Sequence, residues 1–415
     1  MGLTQQEALD LFRSDDLIGV GMAAMEVRRK KNNPRVVTYQ IDRNINYTNF
    51  CTEYCSFCAF YRPLGSKEGY LLSFETIYQK IEEMLELGGT GILLQGGLHP
   101  DLRIEYYENL LGSLKLRFPQ VHLHCFSAPE IGCITEVSGL SVRDTIARLM
   151  DAGLGSIPGG GAEILDDEIR ARISRLKCTA DEWEDMHRTA HALGLRTTAT
   201  MMFGCGEEYR HRVNHFERLR RIQEDTGGFT AFIPWMFAPE NTPLGKKVPQ
   251  ATAVDYLKTL AISRLYLDNI DHIQSSWLTP GIKVCQVGLQ FGADDVGSIL
   301  IEENVVYAAG EQRRDFVSVG DAVSVNLFFA EGAPRQGIFN VGAGSARSFN
   351  EVARRIIHLL GRGEIEYIPF PEGLREKYQN LTEADLSALR AAGYQGKFTS
   401  LEDGLAHTVP FWQSE

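Results

Sequence analysis

Cys51-Thr-Glu-Tyr-Cys55-Ser-Phe-Cys58 brings three thiols into one short loop with the spacing C-x3-C-x2-C. A structural zinc site closes with four ligands, usually in two pairs, and no second pair stands nearby in the sequence. A disulfide framework belongs to small, cysteine-dense, secreted chains, whereas this chain has eight cysteines in 415 residues. Three thiolates in one loop can instead hold three irons of a 4Fe-4S cluster and leave the fourth iron open. S-adenosylmethionine (SAM) chelates such an iron through its amino and carboxylate groups. An electron from the cluster then breaks the S–C5′ bond and releases a 5′-deoxyadenosyl radical. The competing reading is three unrelated core thiols. Phe57, directly before the third cysteine, is placed either to pack beside the adenine or simply to pack the loop.

Such a loop needs a scaffold, and the pattern around it supplies one. Strand candidates are 36–42, 91–96, 121–126, 155–158, 197–204, 229–234, 272–277 and 284–289. Between them lie helix patterns at 73–88, 104–118, 141–153 and 179–194, with apolar residues at i, i+3 and i+4 and glycines near several ends. Buried strands alternating with helices imply parallel βα units, and about eight of them imply an α/β (β/α) barrel. Chemistry in such a barrel sits on loops after the carboxyl ends of strands, where Cys51, Gly96, Ser127, Gly159 and Gly204 fall. Residues 1–35 read as helices and 49–62 as the cluster loop.

With those segments in order, a resemblance becomes specific. Asp42-Arg-Asn-Ile-Asn-Tyr-Thr-Asn-Phe-Cys51, Cys55-Ser-Phe-Cys-Ala-Phe-Tyr-Arg62, LLQGGLHPDL (93–102), SIPGGGAEIL (156–165), TATMMFG (198–204), TGGFTAFIPW (226–235) and IEENVV (301–306) carry it. Together they resemble the radical-SAM branch of dehypoxanthine futalosine cyclases, aminofutalosine synthases and deazaflavin F0 synthases, and most resemble the cyclases. The resemblance spans about 1–310 and implies a radical-SAM TIM-type barrel acting in futalosine-dependent menaquinone biosynthesis. It implies a 4Fe-4S cluster on Cys51, Cys55 and Cys58, with SAM beside it. It also implies an electron donor such as flavodoxin or ferredoxin, and a nucleoside-derived small-molecule substrate. The implied chemistry is hydrogen abstraction from C4′ of the substrate ribose, closure of the carbon radical on the benzoate ring, and loss of an electron and a proton.

The remaining candidates each have a plain alternative. Gly96 and Gly97 either allow close backbone approach to the SAM methionine moiety or make a tight turn. His99-Pro100 reads as a turn-rigidifying pair in preference to a catalytic histidine. Glu163 either accepts from the SAM ribose hydroxyls or pairs with a neighbouring arginine. Ser127 and Glu130 stand where SAM or substrate contacts occur. Trp235 and Phe237 either stack on the benzoate ring or pack the core. Cys205 departs from the family pattern, which has His after this Gly and continues Val-Glu-Thr; a thiol replaces that histidine only weakly. Cys125, Cys133, Cys178 and Cys285 read as core or surface residues. No single catalytic acid or base is assigned.

After Ala309-Gly310 the cyclase pattern stops. Arg313–Asp321, Gly337–Gly344 with Ser348-Phe349, Ile365–Pro371 and the helix 382–394 resemble the last third of ADP-glycero-manno-heptose 6-epimerase. That implies an incomplete α/β fragment of extended short-chain dehydrogenase type over 311–415, with Arg314 and Tyr378 at sugar-nucleotide positions. None of the fifteen tyrosines has a lysine four residues later, and no G-x-x-G-x-x-G follows an amino-terminal strand, so an NAD-dependent epimerase is not expected. The net charge of −12 argues against nucleic acid as a partner. No apolar run is long enough to span a membrane. The amino terminus reads as a polar helix and not as a secretory signal, so a cytoplasmic location is expected.

Overall fold

The computed structural model describes residues 2–239, 242–298, 313–330, 332, 339–363, 365 and 384–413. It divides into two compact units, Met1–Glu302 and Glu303–Glu415. The expected boundary after 310, the IEENVV motif and Tyr378 lie outside the described residues.

The first unit begins with helices α1 (Gln5–Arg13) and α2 (Leu17–Lys31), capped by Thr4 and Asp16. Strands β1 (Thr38–Gln40) and β2 (Asp42–Asn46) follow, then α3 (Phe74–Glu86), β3 (Gly91–Gln95), α4 (Ile104–Arg117) and β4 (His122–Cys125). Four helices come next: α5 (Ala128–Ser138), α6 (Val142–Ala152), α7 (Asp167–Ile173) and α8 (Ala180–Ala192). The unit continues through β5 (Thr197–Phe203), α9 (Tyr209–Thr226), β6 (Phe229–Met236), α10 (Ala253–Tyr266), β7 (His272–Ile273), α11 (Ile282–Gly288) and β8 (Asp295–Ser298).

The described strand pairings of this unit are parallel wherever a ladder forms. One ladder is β2-β3-β4 and another β5-β6-β7. Single bridges, His124 to Ser156 and Ile157 to Thr197, join the two through the 155–158 segment. A Gln274–Asp295 bridge adds β8, and β8 pairs with β1. Only Ile41 separates β1 from β2, so the ring closes on itself as a barrel. The four helices read from periodicity all form, because each buries one apolar stripe; α3 buries Ile77, Ile81 and Met84.

The strands differ more from the pattern. Residues 284–288 fall in helix α11 and Leu289 caps it, so no strand forms there: Gly281, at φ 86°, turns the chain into the helix, and Cys285 and Gly288 are its buried face. The closing strand is β8, whose Asp-Val-Gly-Ser carries no continuous apolar signal. The 272–277 run forms only two strand residues, and 155–158 makes bridges alone. Strand β2 extends four residues past the expected end at 42, because polar Asp42, Asn44 and Asn46 disguise it.

Those polar residues define the barrel. On β2, Arg43 and Ile45 face outward; Arg43 reaches the Lys80 carbonyl and the Glu83 carboxylate of α3. Asp42, Asn44 and Asn46 therefore face the interior. Registers carry the alternation round the ring: Ile92, Leu94, Leu123, Cys125, Ile157, Ala199, Phe232 and Ile273 are fully buried against the helices. The interleaved Asn44, Leu93, Gln95, His124, Ser156, Thr198, Thr200, Ala231, Ile233 and Trp235 are only half-buried. In a packed barrel the inward layer is the most buried; here it is the more accessible one, so the barrel has a lumen.

At the closing edge, Arg264 and Asp294 form a buried ion pair. Arg264 also donates to the carbonyls of Gly292 (2.8 Å) and Asp271 (2.9 Å), while Asp294 accepts from the Ile273 N–H at 2.9 Å and lies 2.6 Å from His272 Nδ1. The second unit has its own small core of Val325, Leu389 and Tyr394. In it Asp315 accepts from the backbone N–H groups of Ala343, Gly344 and Ala384. Its described strands, Arg313–Arg314 and Arg347–Ser348, pair antiparallel. Among the described residues no helix is long and apolar enough to cross a membrane. Breaking the buried pair with Asp294→Ala should cost about 3–5 kcal/mol, read as a lower midpoint of denaturant unfolding for the barrel; a change under about 1 kcal/mol would contradict this role.

Candidate active site

The loop after β2 is held by the residues that lead into it. Thr48 Oγ1 donates to the Tyr70 carbonyl at 2.7 Å. Asn49 donates to the Glu68 carbonyl at 3.0 Å and accepts from the Tyr70 N–H at 2.8 Å. Both side chains are buried, so these bonds satisfy groups that would otherwise be stranded. Within the loop, the Cys51 N–H bonds the Arg62 carbonyl and the Cys58 N–H bonds the Cys55 carbonyl. Ser56 is anchored on both sides, donating to the Ile173 carbonyl and accepting at its own carbonyl from Leu244.

Cys51 and Cys55 are buried and Cys58 is half-buried. Burial pushes the Cys51 thiol up and the Cys55 thiol to about 12, while the Lys177 ammonium acts in the opposite direction on both. The donor set fits an iron–sulfur group: soft thiols in a largely dry loop next to one fixed cation, with protons to be displaced on loading. Beside them Glu163 is buried; one carboxylate oxygen accepts from Lys177 Nζ at 2.9 Å and the other, Oε2, is buried without a partner. The ion-pair partner is thus a lysine and not an arginine. Lys177 Nζ also lies 5.4 Å from the centre of the Phe57 ring. Glu53 Oε2 is a second buried, unpartnered acceptor in the loop. Such acceptors suit a ligand carrying ammonium and hydroxyl donors, as SAM does.

Glu130 organises the neighbouring strand ends. Its carboxylate accepts from the Ser127 N–H (2.8 Å) and hydroxyl (2.6 Å), the Gly96 N–H (2.9 Å) and the Tyr47 hydroxyl (3.1 Å). The Ser127 hydroxyl is therefore spent on Glu130, and Glu130 on the scaffold. Gly97 is required by packing, since a Cβ there would stand 2.2 Å from the Phe50 carbonyl oxygen. His99 is mostly buried, its ring edge-on to Phe50 and its Nδ1 accepting from the Asp101 N–H, as a turn residue would be. Among the described residues three non-glycine residues have positive φ: Tyr54 (47°), Phe126 (58°) and Glu163 (39°). All three lie in loops following barrel strands, where strain accumulates at functional sites.

Cys205 is buried on the turn after β5, and burial and then Glu207 raise its thiol well above the usual range. Glu207 is the working residue of that turn. It accepts from the Gly204 and Cys205 N–H groups and pairs with the buried Arg212 at 2.7 Å. Phe237 is buried, while Trp235 lines the lumen. Arg314, in the second unit, lies over the Phe349 ring at 5.9 Å.

No sequence motif marks the lumen itself. From β2 round to β5 the inward face is mostly polar, with Asp42, Asn44, Asn46, Gln95, His124, Ser156, Thr198 and Thr200; the next strand, β6, turns Ala231, Ile233 and Trp235 inward. The Oδ1 atoms of Asp42 and Asn44 are buried and unpartnered. The signal was present as polar residues at every second position of β2, a period-two pattern with the polar face inward. Burial pushes Asp42 up to about 7. The unfolded carboxyl titrates near 4, so the fold binds the extra proton and stability falls as pH rises from about 4 through about 7. Asp42→Asn should therefore raise the melting temperature more at pH 8 than at pH 5; an equal shift at both would contradict this.

Comparison with known proteins gives a consistent picture. The sequence matches the radical SAM superfamily over residues 45–219 and the CofH/MqnC C-terminal region over 226–329. The second match continues past 310, where the motif pattern breaks. The chain is 49% identical over 308 residues to a cyclic dehypoxanthine futalosine synthase of Halalkalibacterium halodurans, covering 74% of this chain and 83% of that protein. It is 42% identical over 294 residues to a 5-amino-6-(D-ribitylamino)uracil–L-tyrosine 4-hydroxyphenyl transferase of Methanococcoides burtonii (69% and 80% covered). With an aminodeoxyfutalosine synthase of Streptomyces coelicolor it shares 38% over 318 residues (74% and 82% covered). In fold it is similar to methylornithine synthase, PylB, with a TM-score of 0.58 at 19% identity over 74% of this chain and 86% of that one.

Proposed function

This chain belongs to the radical SAM superfamily, in the branch that shares the CofH/MqnC C-terminal region, and on that footing we propose that it cyclises dehypoxanthine futalosine to cyclic dehypoxanthinylfutalosinate in menaquinone biosynthesis. The observation that carries the reading is the two-sided lumen beneath the cysteine loop, in a chain 49% identical to a synthase of that name. A substrate with a hydroxyl-rich ribose and a flat apolar ring matches a lumen with one polar and one apolar arc.

The cofactors are a 4Fe-4S cluster and SAM, which when bound supply one-electron cleavage to a carbon radical that takes a hydrogen atom from the substrate. Cys51, Cys55 and Cys58 would hold the cluster, and Lys177 would offset the charge of the thiolates. Glu163 would offer its free oxygen to the SAM ribose, Phe57 would flank the adenine, and Gly96, Gly97 and Ser127 would shape the wall on the methionine side. Asn44 and Asp42 orient substrate hydroxyls, and Trp235 backs the benzoate ring. Flavodoxin or ferredoxin supplies electrons, and the setting is the cytoplasm. In 311–415 we read an α/β appendage whose likeness to an epimerase rests on its sequence motifs, with Arg314 and Tyr378 as its sugar-nucleotide positions and no epimerase machinery.

Anaerobic reconstitution with iron, sulfide, SAM and reductant tests the reading. Dehypoxanthine futalosine should yield 5′-deoxyadenosine and the cyclised product, and changing Cys51, Cys55 and Cys58 to Ala should abolish both together with the iron–sulfur absorbance. Turnover confined to an enolpyruvyl nucleoside, or to ribitylaminouracil with tyrosine, would transfer the chain to the activity of one of its other relatives.

A further inference from the structure

The polar arc of the lumen contains a hydrogen-bonded line that the binding scheme does not use. Ser156 Oγ lies 2.6 Å from His124 Nδ1 and 2.7 Å from His122 Nε2. His122 opens β4 at the amino-terminal end of the barrel and is exposed; His124 stands two residues further up the same inward face and is half-buried. One hydroxyl carries one proton, so Ser156 accepts from one ring and donates to the other. With Nδ1–H of His124 as donor, the serine proton goes to His122 Nε2, and His124 Nε2 is left as a bare acceptor. Among the described residues neither His124 Nε2 nor His122 Nδ1 has a hydrogen-bond partner, and neither is among the sealed, unpartnered nitrogens such as His187 Nε2. Both ends of the line are thus open.

The local backbone makes room for it. A Cβ at Gly155 would lie 2.9 Å from His122 Cε1, so a side chain there would displace the ring. Registers place Asn44, Leu93 and His124 in one layer and Asn46 and Gln95 in the layer above, about 7 Å nearer the cysteine loop at the usual strand rise. Burial holds both imidazoles below the ordinary range, His124 at about 3. Neutral rings of this kind pass a proton on without retaining it.

We propose that His124, Ser156 and His122 form a proton relay from the lumen to the barrel floor, and that it carries away the ring proton released after cyclisation. The proposal rests on the cyclase reading above. Closure forms a C–C bond between the ribose-derived radical carbon and a ring carbon, leaving a delocalised ring radical with one C–H bond too many for aromaticity. That C–H bond breaks with its proton passing to His124 Nε2. The His124 Nδ1 proton moves to Ser156, the Ser156 proton moves to His122 Nε2, and His122 Nδ1 releases one to solvent. The electron pair of the broken bond stays in the ring, and the one surplus electron needs a one-electron acceptor, which a bound iron–sulfur cluster in its oxidised state would supply. His124 is the group that meets the substrate; Ser156 and His122 act through it.

The experiment measures cyclised product per 5′-deoxyadenosine in the reconstituted enzyme, together with 15N-histidine spectra of the cluster-loaded protein. Ser156→Ala should lower cyclised product per 5′-deoxyadenosine by about a hundredfold, the scale of lost general-base help. Ser156→Thr, which keeps the hydroxyl, should restore most of it. His122→Ala, at an exposed position, should lower the ratio in the same way and guards against a folding defect at 156. In the spectra, wild type should show the Nδ1–H tautomer at His124, and Ser156→Ala should abolish that preference. An unchanged ratio in both Ser156→Ala and His122→Ala, or tautomer states indifferent to Ser156, would overturn the relay. Absence of cyclised product from the wild-type enzyme would instead overturn the cyclase reading.

Discussion

A closed ring of parallel strands must bury its outward face against helices, and in this chain that face carries nearly all the apolar weight. Ile45, Leu94, Leu123, Ile157, Phe232 and Ile273 are each fully buried there, and each such side chain is worth about 1.5–3 kcal/mol. The inward face contributes little of that kind, because Asn, Gln, His and Thr occupy most of one arc. The interior is consequently free to hold a ligand. The buried Arg264–Asp294 pair belongs to the same constraint: where strands β7 and β8 are short, hydrogen bonds to fixed charges hold the closing edge.

The loops at the carboxyl ends of the strands inherit this rigidity. Left-handed backbone at Tyr54, Phe126 and Glu163 costs of order 1–3 kcal/mol each and persists where surrounding bonds over-determine it. Glu130 shows how: one buried carboxylate gathers Tyr47, Gly96 and Ser127 and so ties the start of the cysteine loop to two strand ends. Lys177 does the same for Glu163 while facing Phe57 and the thiols. The result is a cysteine loop held rigidly where the strands of the barrel end.

Much of the outer shell was legible because helices with one apolar stripe announce themselves, as α3 and α8 do. The cysteine loop was legible because three soft ligands at fixed spacing have few other uses. The lumen was not, since strand rules look for an apolar inward face. Asp42-Arg-Asn-Ile-Asn46 reversed that expectation by facing its polar residues inward. Residues 284–289 misled in the other direction: a short apolar run fits a strand and a buried helical turn equally, and Gly281 decided for the helix. Ser127 and Glu130 were found by position, while their mutual bond, a capping box, makes them scaffold for the backbone around them.

On the proposed function, the lumen and no surface groove receives the substrate. An anaerobic crystal structure of the cluster-loaded protein with SAM and dehypoxanthine futalosine tests it most directly. The substrate should lie inside the barrel, with its ribose against Asn44, its aromatic ring between Trp235 and His124, and a donor on the Asp42 and Asn44 oxygens. Substrate bound outside the ring of strands, with the inward side chains collapsed onto one another, would contradict it.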